Sequence, residues 1–241
     1  MKKIITLLSL LVLCSCSNGA TSEDPYFINR PDKDFIFSII NDEIRIDEIK
    51  NNLKTKLKIL NIPSFIDGLP VTSIDSSAFQ GCILEEVHFL EDSNIQKIEK
   101  YAFADCINLK EFFLPKKLSY LGEGVFCDCT SLENVTFLGN EIENIRSLTF
   151  FNNSKLKEIE LPNNILSIGD ETFMNCESLE KVHITSPIEE IGYYSFSNDY
   201  KVEVLFYEIE SIPSSFHEEW AYTENLHING TNEISYRFIE E

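Results

Sequence analysis

The sequence predicts a β-rich solenoid of short parallel strands, in repeats of about 23 residues, with a β-hairpin closing its N-terminal end. Three observations predict it. Phe79, Phe103, Phe126, Phe150, Phe173 and Phe196 follow one another at intervals of 24, 23, 24, 23 and 23 positions. A cysteine closes the same phase three residues later at Cys82, Cys106, Cys129 and Cys176, in segments such as Ala102-Phe103-Ala104-Asp105-Cys106. Between these marks lies a strand-like frame of apolar residues ending in an Ile or Leu that Gly follows at Gly122, Gly169 and Gly192. A fixed period in the twenties is the mark of a stacked repeat architecture.

The frame recurs seven times. Its first strands lie at Leu57–Pro63, Leu84–Phe89, Leu109–Pro115, Leu132–Phe137, Leu156–Pro162, Leu179–Ile184 and Val202–Tyr207, the last read as Val202-x-x-Leu205-x-Tyr207. Apolar residues at the fourth and sixth places face one way, as strand period two requires. The second half of each unit supplies Ile74, Ile98, Leu121, Ile145, Ile168, Ile191 and Ile212. Glycine beside this residue suits a positive φ or a close backbone approach. One unit cannot bury its own apolar face, whereas stacking at the strand spacing of about 4.8 Å fuses the faces into one core on the order of 30 Å long.

The ends differ from the repeats. Phe35 to Lys50 alternates apolar and polar around Asn41-Asp42-Glu43, a hairpin that would cover the open first rung. After Ile212-Pro213 the period fails, and Trp220, Leu226, Ile228, Ile234, Tyr236 and Phe238 suggest one or two strands closing the other end. Upstream, Lys2 and Lys3 precede an apolar run, Ile4 to Leu13, too short for a permanent membrane span. The following Leu13-Cys14-Ser15-Cys16 resembles a bacterial lipobox, with Ser15 before the cysteine that takes lipid, Cys16; an ordinary secretory signal cleaved nearby is the alternative. The divisions are thus a signal over residues 1–15, a flexible tether over 16–34, a hairpin cap over 35–56, the solenoid over 57–215 and a C-terminal cap over 216–241.

The pattern resembles the BspA-type leucine-rich repeats of bacterial surface proteins. The resemblance rests on Asp67-Gly68-Leu69-Pro70-Val71-Thr72-Ser73-Ile74, on Ile168-Gly169 and on the Phe-x-x-Cys closures, and it covers roughly residues 35–215. Asn153 and Asp199 depart from it by replacing the closing cysteine. It implies a leucine-rich-repeat solenoid, exposed at the cell envelope, that holds a protein or glycan partner, with adhesion as one use.

Composition narrows the chemistry. Forty acidic against 20 basic residues give a net charge of −20, and loss of Lys2 and Lys3 with the signal makes it −22. Such a surface repels phosphate backbones, so no nucleic-acid partner is expected. No Gly-x-Ser-x-Gly, His-Glu-x-x-His or phosphate-loop motif occurs, so no catalytic residue, cofactor or small-molecule substrate is expected. The recurring cysteines read as a buried ladder of small side chains, with a bridge between adjacent rungs (Cys82 to Cys106, or Cys106 to Cys129) left open. Cys127-x-Cys129 does not read as a metal pair, because Cys127 shares its place with Gln80, Ala104, Phe151, Met174 and Ser197. His88 and His183 share a strand place four rungs apart, roughly 19 Å at the strand spacing, too far for one metal.

The candidate site is the solvent face of the first strands. Its fifth places carry Asn61, His88, Phe113, Thr136, Glu160, His183 and Phe206; its third places carry Ile59, Glu86, Glu111, Asn134, Glu158, Lys181 and Val204. Solenoids bind extended partners on such sheets, and an exposed Phe113 or Phe206 would anchor a contact. The sequence thus reads as a lipid-anchored, non-enzymatic binding module; a structural or self-associating envelope protein is the alternative. Cys16→Ala should move the protein from the membrane fraction to the soluble fraction. Retention with unchanged electrophoretic mobility would refute lipidation at Cys16.

Overall fold

The computed structural model describes residues 31–197, 202–206, 213–220, 226–228 and 234–238. The expected signal, Cys16 and most of the expected tether lie outside the described residues, as do Asp199, Tyr207 and Ile212.

The chain opens with the expected hairpin. β1 (Phe35–Ile40) and β2 (Glu43–Ile49) pair antiparallel. Asn41 and Asp42 form the turn at φ 52° and 64°, the left-handed geometry that suits a two-residue hairpin loop. A helical turn at Asn51–Lys54 leads into β3 (Ile59–Ile62), then a tight β4 (Phe65–Ile66) and β5 (Leu69–Ile74). Thereafter each unit contributes one longer and one very short strand: β6 (Glu86–Phe89) and β7 (Lys97–Ile98), β8 (Glu111–Leu114) and β9 (Tyr120–Leu121), β10 (Asn134–Phe137) and β11 (Asn144–Ile145). The pattern continues with β12 (Glu158–Glu160) and β13 (Ser167–Ile168), β14 (Lys181–Ile184) and β15 (Glu190–Ile191), and ends at β16 (Glu203–Phe206). β17 (Leu226–Ile228) and β18 (Ile234–Phe238) close the far end, with β18 antiparallel to β16.

Three backbone ladders run along the stack. The short strands join the hairpin in the order β1-β2-β5-β7-β9, then β11-β13-β15. The phenylalanine turns form a second ladder, in which Phe79 N donates to Ala102 O, Phe103 N to Val125 O and Phe126 N to Thr149 O, with one more bond per rung from Gly81, Asp105, Asp128, Asn152 and Asn175. The long strands form the third, in hydrogen-bonded sets β3-β6, β8-β10 and β12-β14-β16. Full pairing along this column was the expectation; instead the ladder is interrupted after β6 and after β10. These two rungs end in Phe89-Leu90 and Phe137-Leu138, where those of β3, β8 and β12 end in Ile-Pro or Leu-Pro, and their arcs are longer than those of the β8, β12 and β14 rungs. Fourteen and thirteen positions separate Leu84 from Ile98 and Leu132 from Ile145, against twelve for Leu109 to Leu121.

The core is a spine of stacked rings. Neighbouring rings of Phe79, Phe103, Phe126, Phe150, Phe173 and Phe196 lie 5.1, 6.2, 5.7, 5.3 and 5.3 Å apart and nearly parallel. Phe35 closes the spine edge-on at 6.1 Å at one end, and Trp220 at 5.8 Å at the other. The turns from Phe79 to Phe173 each hold left-handed backbone at two places, the residues two before and two after the phenylalanine, and Tyr194 repeats the first of these before Phe196. Asp105, Asp128, Asn152 and Asn175 tolerate this, but Tyr101, Leu148, Glu171 and Tyr194 adopt it only because the surrounding ladder over-determines them. At Gly122 and Gly169, close approach is the reason for glycine: a Cβ would stand 2.4 Å from Lys100 N and from Ser147 N respectively.

The cysteines form the expected packed ladder as thiols, without a bridge between rungs. The Sγ atoms of Cys106, Cys129 and Cys176 donate to the carbonyls of Phe79, Phe103 and Phe150 at 3.3, 3.1 and 3.1 Å, tying each rung to the one before. Asn153 occupies this place in the fourth turn, fully buried, with neither amide atom hydrogen-bonded. An orphaned buried polar group costs about 1–3 kcal/mol. Asn153→Cys should therefore raise the urea unfolding free energy by about 1–3 kcal/mol; an unchanged or lower value would show that the amide is satisfied.

Candidate functional site

The long strands present their third and fifth places to solvent, because the fourth and sixth are drawn into the core. Phe112, Val135, Ile159 and Val182 are buried while their neighbours on either side face outward. Glu86, Glu111, Asn134, Glu158 and Lys181 lie exposed in one column, and His88, Phe113, Thr136 and Glu160 in the next, with His183 half-buried. Phe113 is 44% exposed, a large ring left open on a folded surface. His88 Nε2 lies 2.9 Å from Glu86 Oε2 on its own strand, and His183 Nε2 lies 2.8 Å from Glu158 Oε1 on the neighbouring rung. Both histidines are thus held by carboxylates of the same face.

Phe206 does not belong to this face. Val204 pairs with Val182 and Phe206 with Ile184, so both side chains point into the core, and Phe206 is 1% exposed, packed against Phe216 and Trp220. The last rung is one residue shorter between Val202 and its strand. Reading it as Val202-x-x-Leu205 shifts the phase by one, and a one-residue slip exchanges the two faces of a strand.

A second concavity escaped the sequence reading. It lies on the outer face of the short strands, a shallow depression of about 470 Å³ lined by Glu99, Lys100, Tyr120, Glu123, Arg146 and neighbours. Gly122 and Gly169 leave no side chains on the rungs flanking Arg146, and its guanidinium lies over the Tyr120 ring at 4.6 Å. The available signal was Arg146 standing where Gly122 and Gly169 stand in adjacent turns. Tyr101 beside it donates to Glu123 at 2.8 Å, which pushes its phenol up to about 12. The depression holds no thiol or imidazole, and its polar groups are solvated rather than enclosed.

Elsewhere the chemistry is muted. Among the described residues no three His, Cys, Asp or Glu side chains converge as a metal-binding set. Burial pushes the Cys82 thiol up to about 11, and burial together with Asp128 pushes Cys127 up to about 12; Cys106 and Cys129 are raised well above the ordinary range by burial. Such thiols are protonated at neutral pH and are poor nucleophiles.

Fold and face together define a repeat scaffold: a parallel-stranded solenoid with an open sheet rather than an enclosed pocket. The sequence pattern of the BspA type leucine rich repeat region matches six copies across residues 72–203, more than half of the chain, and the chain belongs to that family. The structure is similar to the leucine-rich repeat protein of T. pallidum, with a TM-score of 0.67 at 25% identity over 78% of this chain and 85% of the other. A leucine-rich repeat protein of Eubacterium ventriosum shares the fold, with a TM-score of 0.56 at 18% identity over 82% of this chain and 54% of the other. No curated protein matches the sequence. The chain is a leucine-rich repeat protein of the bacterial surface-protein type, built on a scaffold fold.

The thiols give a pH test. An unfolded cysteine ionises near about 8.5, so the raised folded values contribute stability that is complete below that pH and is lost as pH rises through about 11 for Cys82. Native protein at pH 8 should label with iodoacetamide far more slowly than urea-unfolded protein, and unfolding free energy should fall between pH 8.5 and 11. Equal labelling rates would refute the buried ladder.

Proposed function

We propose that this chain is a non-enzymatic, lipid-anchored cell-envelope protein whose long-strand face holds a protein or glycan partner, with adhesion as one use. The single observation that carries the reading is Phe113, an exposed ring at the centre of a flat strand face bordered by Glu86, Glu111, Glu158 and Glu160. Exposed aromatics on rigid surfaces are the usual anchors of protein interfaces. The sheet is open apart from a shallow depression of about 260 Å³ beside Thr136 and Glu160, and this supports a macromolecular partner over a small substrate, since small-ligand sites are concave and enclosing. The anchor rests on the Leu13-Cys14-Ser15-Cys16 sequence. No helix among the described residues is long and apolar enough to cross a membrane.

A second reading, self-association, has its own support. β1 ends the hairpin sheet with nothing paired on its outer side among the described residues, and Ile36, Ile39 and Ile40 on it are 46%, 60% and 45% exposed. An apolar strand edge without charge invites pairing with another chain.

Residues 25–241 used as bait, with Phe113→Ala and Glu160→Lys alongside, separate the two. A partner captured by wild type and lost from the variants supports the face; a partner that binds all three equally refutes it. A concentration-dependent dimer abolished by Ile39→Lys, with no captured partner, favours self-association instead.

A further inference from the structure

The two interruptions of the long-strand ladder frame a distinct surface. Between them lies the hydrogen-bonded pair β8-β10, on which Phe113 and Thr136 stand directly opposite each other. Leu90 follows the strand before this pair and Leu138 follows its last strand; they are 58% and 49% exposed. Both lie just past their strands, two places beyond the outward His88 and Thr136. In the same place the neighbouring rungs carry Pro115 and Pro162, both buried. Leu90 and Leu138 are two rungs apart, about 10 Å along the stack at the strand spacing. Phe113 lies on the rung between them, opposite Thr136, which stands two places before Leu138. Three large apolar side chains therefore share one small area of solvent-facing sheet.

The charge on the two outward columns has one sign, with lysines (Lys110, Lys157, Lys116 and Lys117) at the strand ends. The third and fifth places of the four rungs from β6 to β12 carry Glu86, Glu111, Glu158 and Glu160 and no lysine or arginine. The strand-end lysines lie off these two columns, and Lys117 donates to Asn94 at 2.8 Å. Only His88 faces the acids directly within this area, and it is engaged with Glu86.

Resting on the binding-module reading above, we infer that the partner is an extended, basic polypeptide segment whose apolar side chains cover Leu90, Phe113 and Leu138 while its lysines or arginines meet the flanking glutamates. An extended chain laid across the strands presents same-face side chains about 6.6–7 Å apart, so three consecutive ones cover the span of about 10 Å from Leu90 to Leu138. Burial of the apolar trio would supply affinity, and the carboxylates would supply attraction at a distance and a preference for cations. The acidity of the whole chain, −20, favours the same partners on approach.

A fluorescently labelled peptide of about a dozen residues, with lysines alternating with leucine and phenylalanine, tests this by anisotropy titration against residues 25–241. Two control peptides accompany it: serine in place of the apolar residues, and glutamate in place of lysine. The apolar basic peptide should bind at least tenfold more tightly than either control. Phe113→Ser should weaken it about tenfold or more, and Leu90→Ser with Leu138→Ser by a comparable factor. Glu111→Lys with Glu160→Lys should weaken it and flatten its salt dependence. All these positions are exposed, and unchanged thermal melting of each variant would show that the fold is retained. Equal binding of the serine peptide, or indifference to Phe113→Ser, would overturn the inference and leave general charge attraction alone. The bait experiment distinguishes the two levels. A captured partner lost on Phe113→Ala but neither displaced by the basic peptide nor weakened by salt, as a neutral glycan would behave, overturns the basic partner and keeps the binding face. A partner and a peptide both indifferent to Phe113 overturn both.

Discussion

The aromatic spine is the constraint on which the rest of this molecule depends. Six phenylalanine rings stacked 5.1–6.2 Å apart fix the spacing of successive turns and bring their backbones within hydrogen-bonding range. Each ring is fully buried and sits on a turn whose carbonyl accepts from the next turn at several rungs through a cysteine thiol. Cysteine suits the place because it is small, apolar and still a weak donor. Edge-on closure by Phe35 and Trp220 then ends the stack with rings of different orientation, which stops the spine from offering a bare face at either end.

From that spine the outer surfaces follow. With every turn held in register, the long strands must alternate inward and outward, and the outward columns become a fixed display. What varies from rung to rung is chemistry without structural duty, and Phe113, Leu90 and Leu138 stand out there because the fold needs none of them exposed. The second face shows the same logic from the opposite side: glycines required by close backbone approach at Gly122 and Gly169 leave room that Arg146 partly occupies. A depression there is a by-product of packing, which is why it lacks the convergent groups of a catalytic centre.

Much of this was legible in the sequence because the repeat multiplies each signal. The spine, the cysteine ladder, the hairpin with its Asn41-Asp42 turn and the two outward columns all follow from residues that recur in phase. Other features did not. Phe206 was read one place out of phase, since a single missing residue in a degenerate rung cannot be seen from spacing when no further rung follows to restore it. The interruptions beside Leu90 and Leu138 depend on arc length, a property of how neighbouring strands meet rather than of either strand alone. The left-handed backbone at Tyr101, Leu148, Glu171 and Tyr194 contradicts the preference of those residues and is imposed by the ladder around them. The burial of Asn153 was hidden for a related reason: its place in the period was clear, but its lack of partners depends on the packed neighbours.

The short last rung also shows what kinds of insertion and deletion this architecture absorbs. Removing one residue exchanged the inner and outer faces relative to the simple reading, and only the alternation at Val202, Val204 and Phe206 restored a buried set. Removing or adding a whole unit of about 23 residues would do no such thing, because each turn contacts only its neighbours. Whole units are therefore the natural currency of length variation here: duplication lengthens the display by one strand spacing and leaves every existing column in place, whereas a frame-preserving change of one or two residues must be accommodated in an arc or lost. The arcs after Phe89 and Phe137, longer than those after Leu114, Leu161 and Ile184, are among the places where this chain already carries such residues.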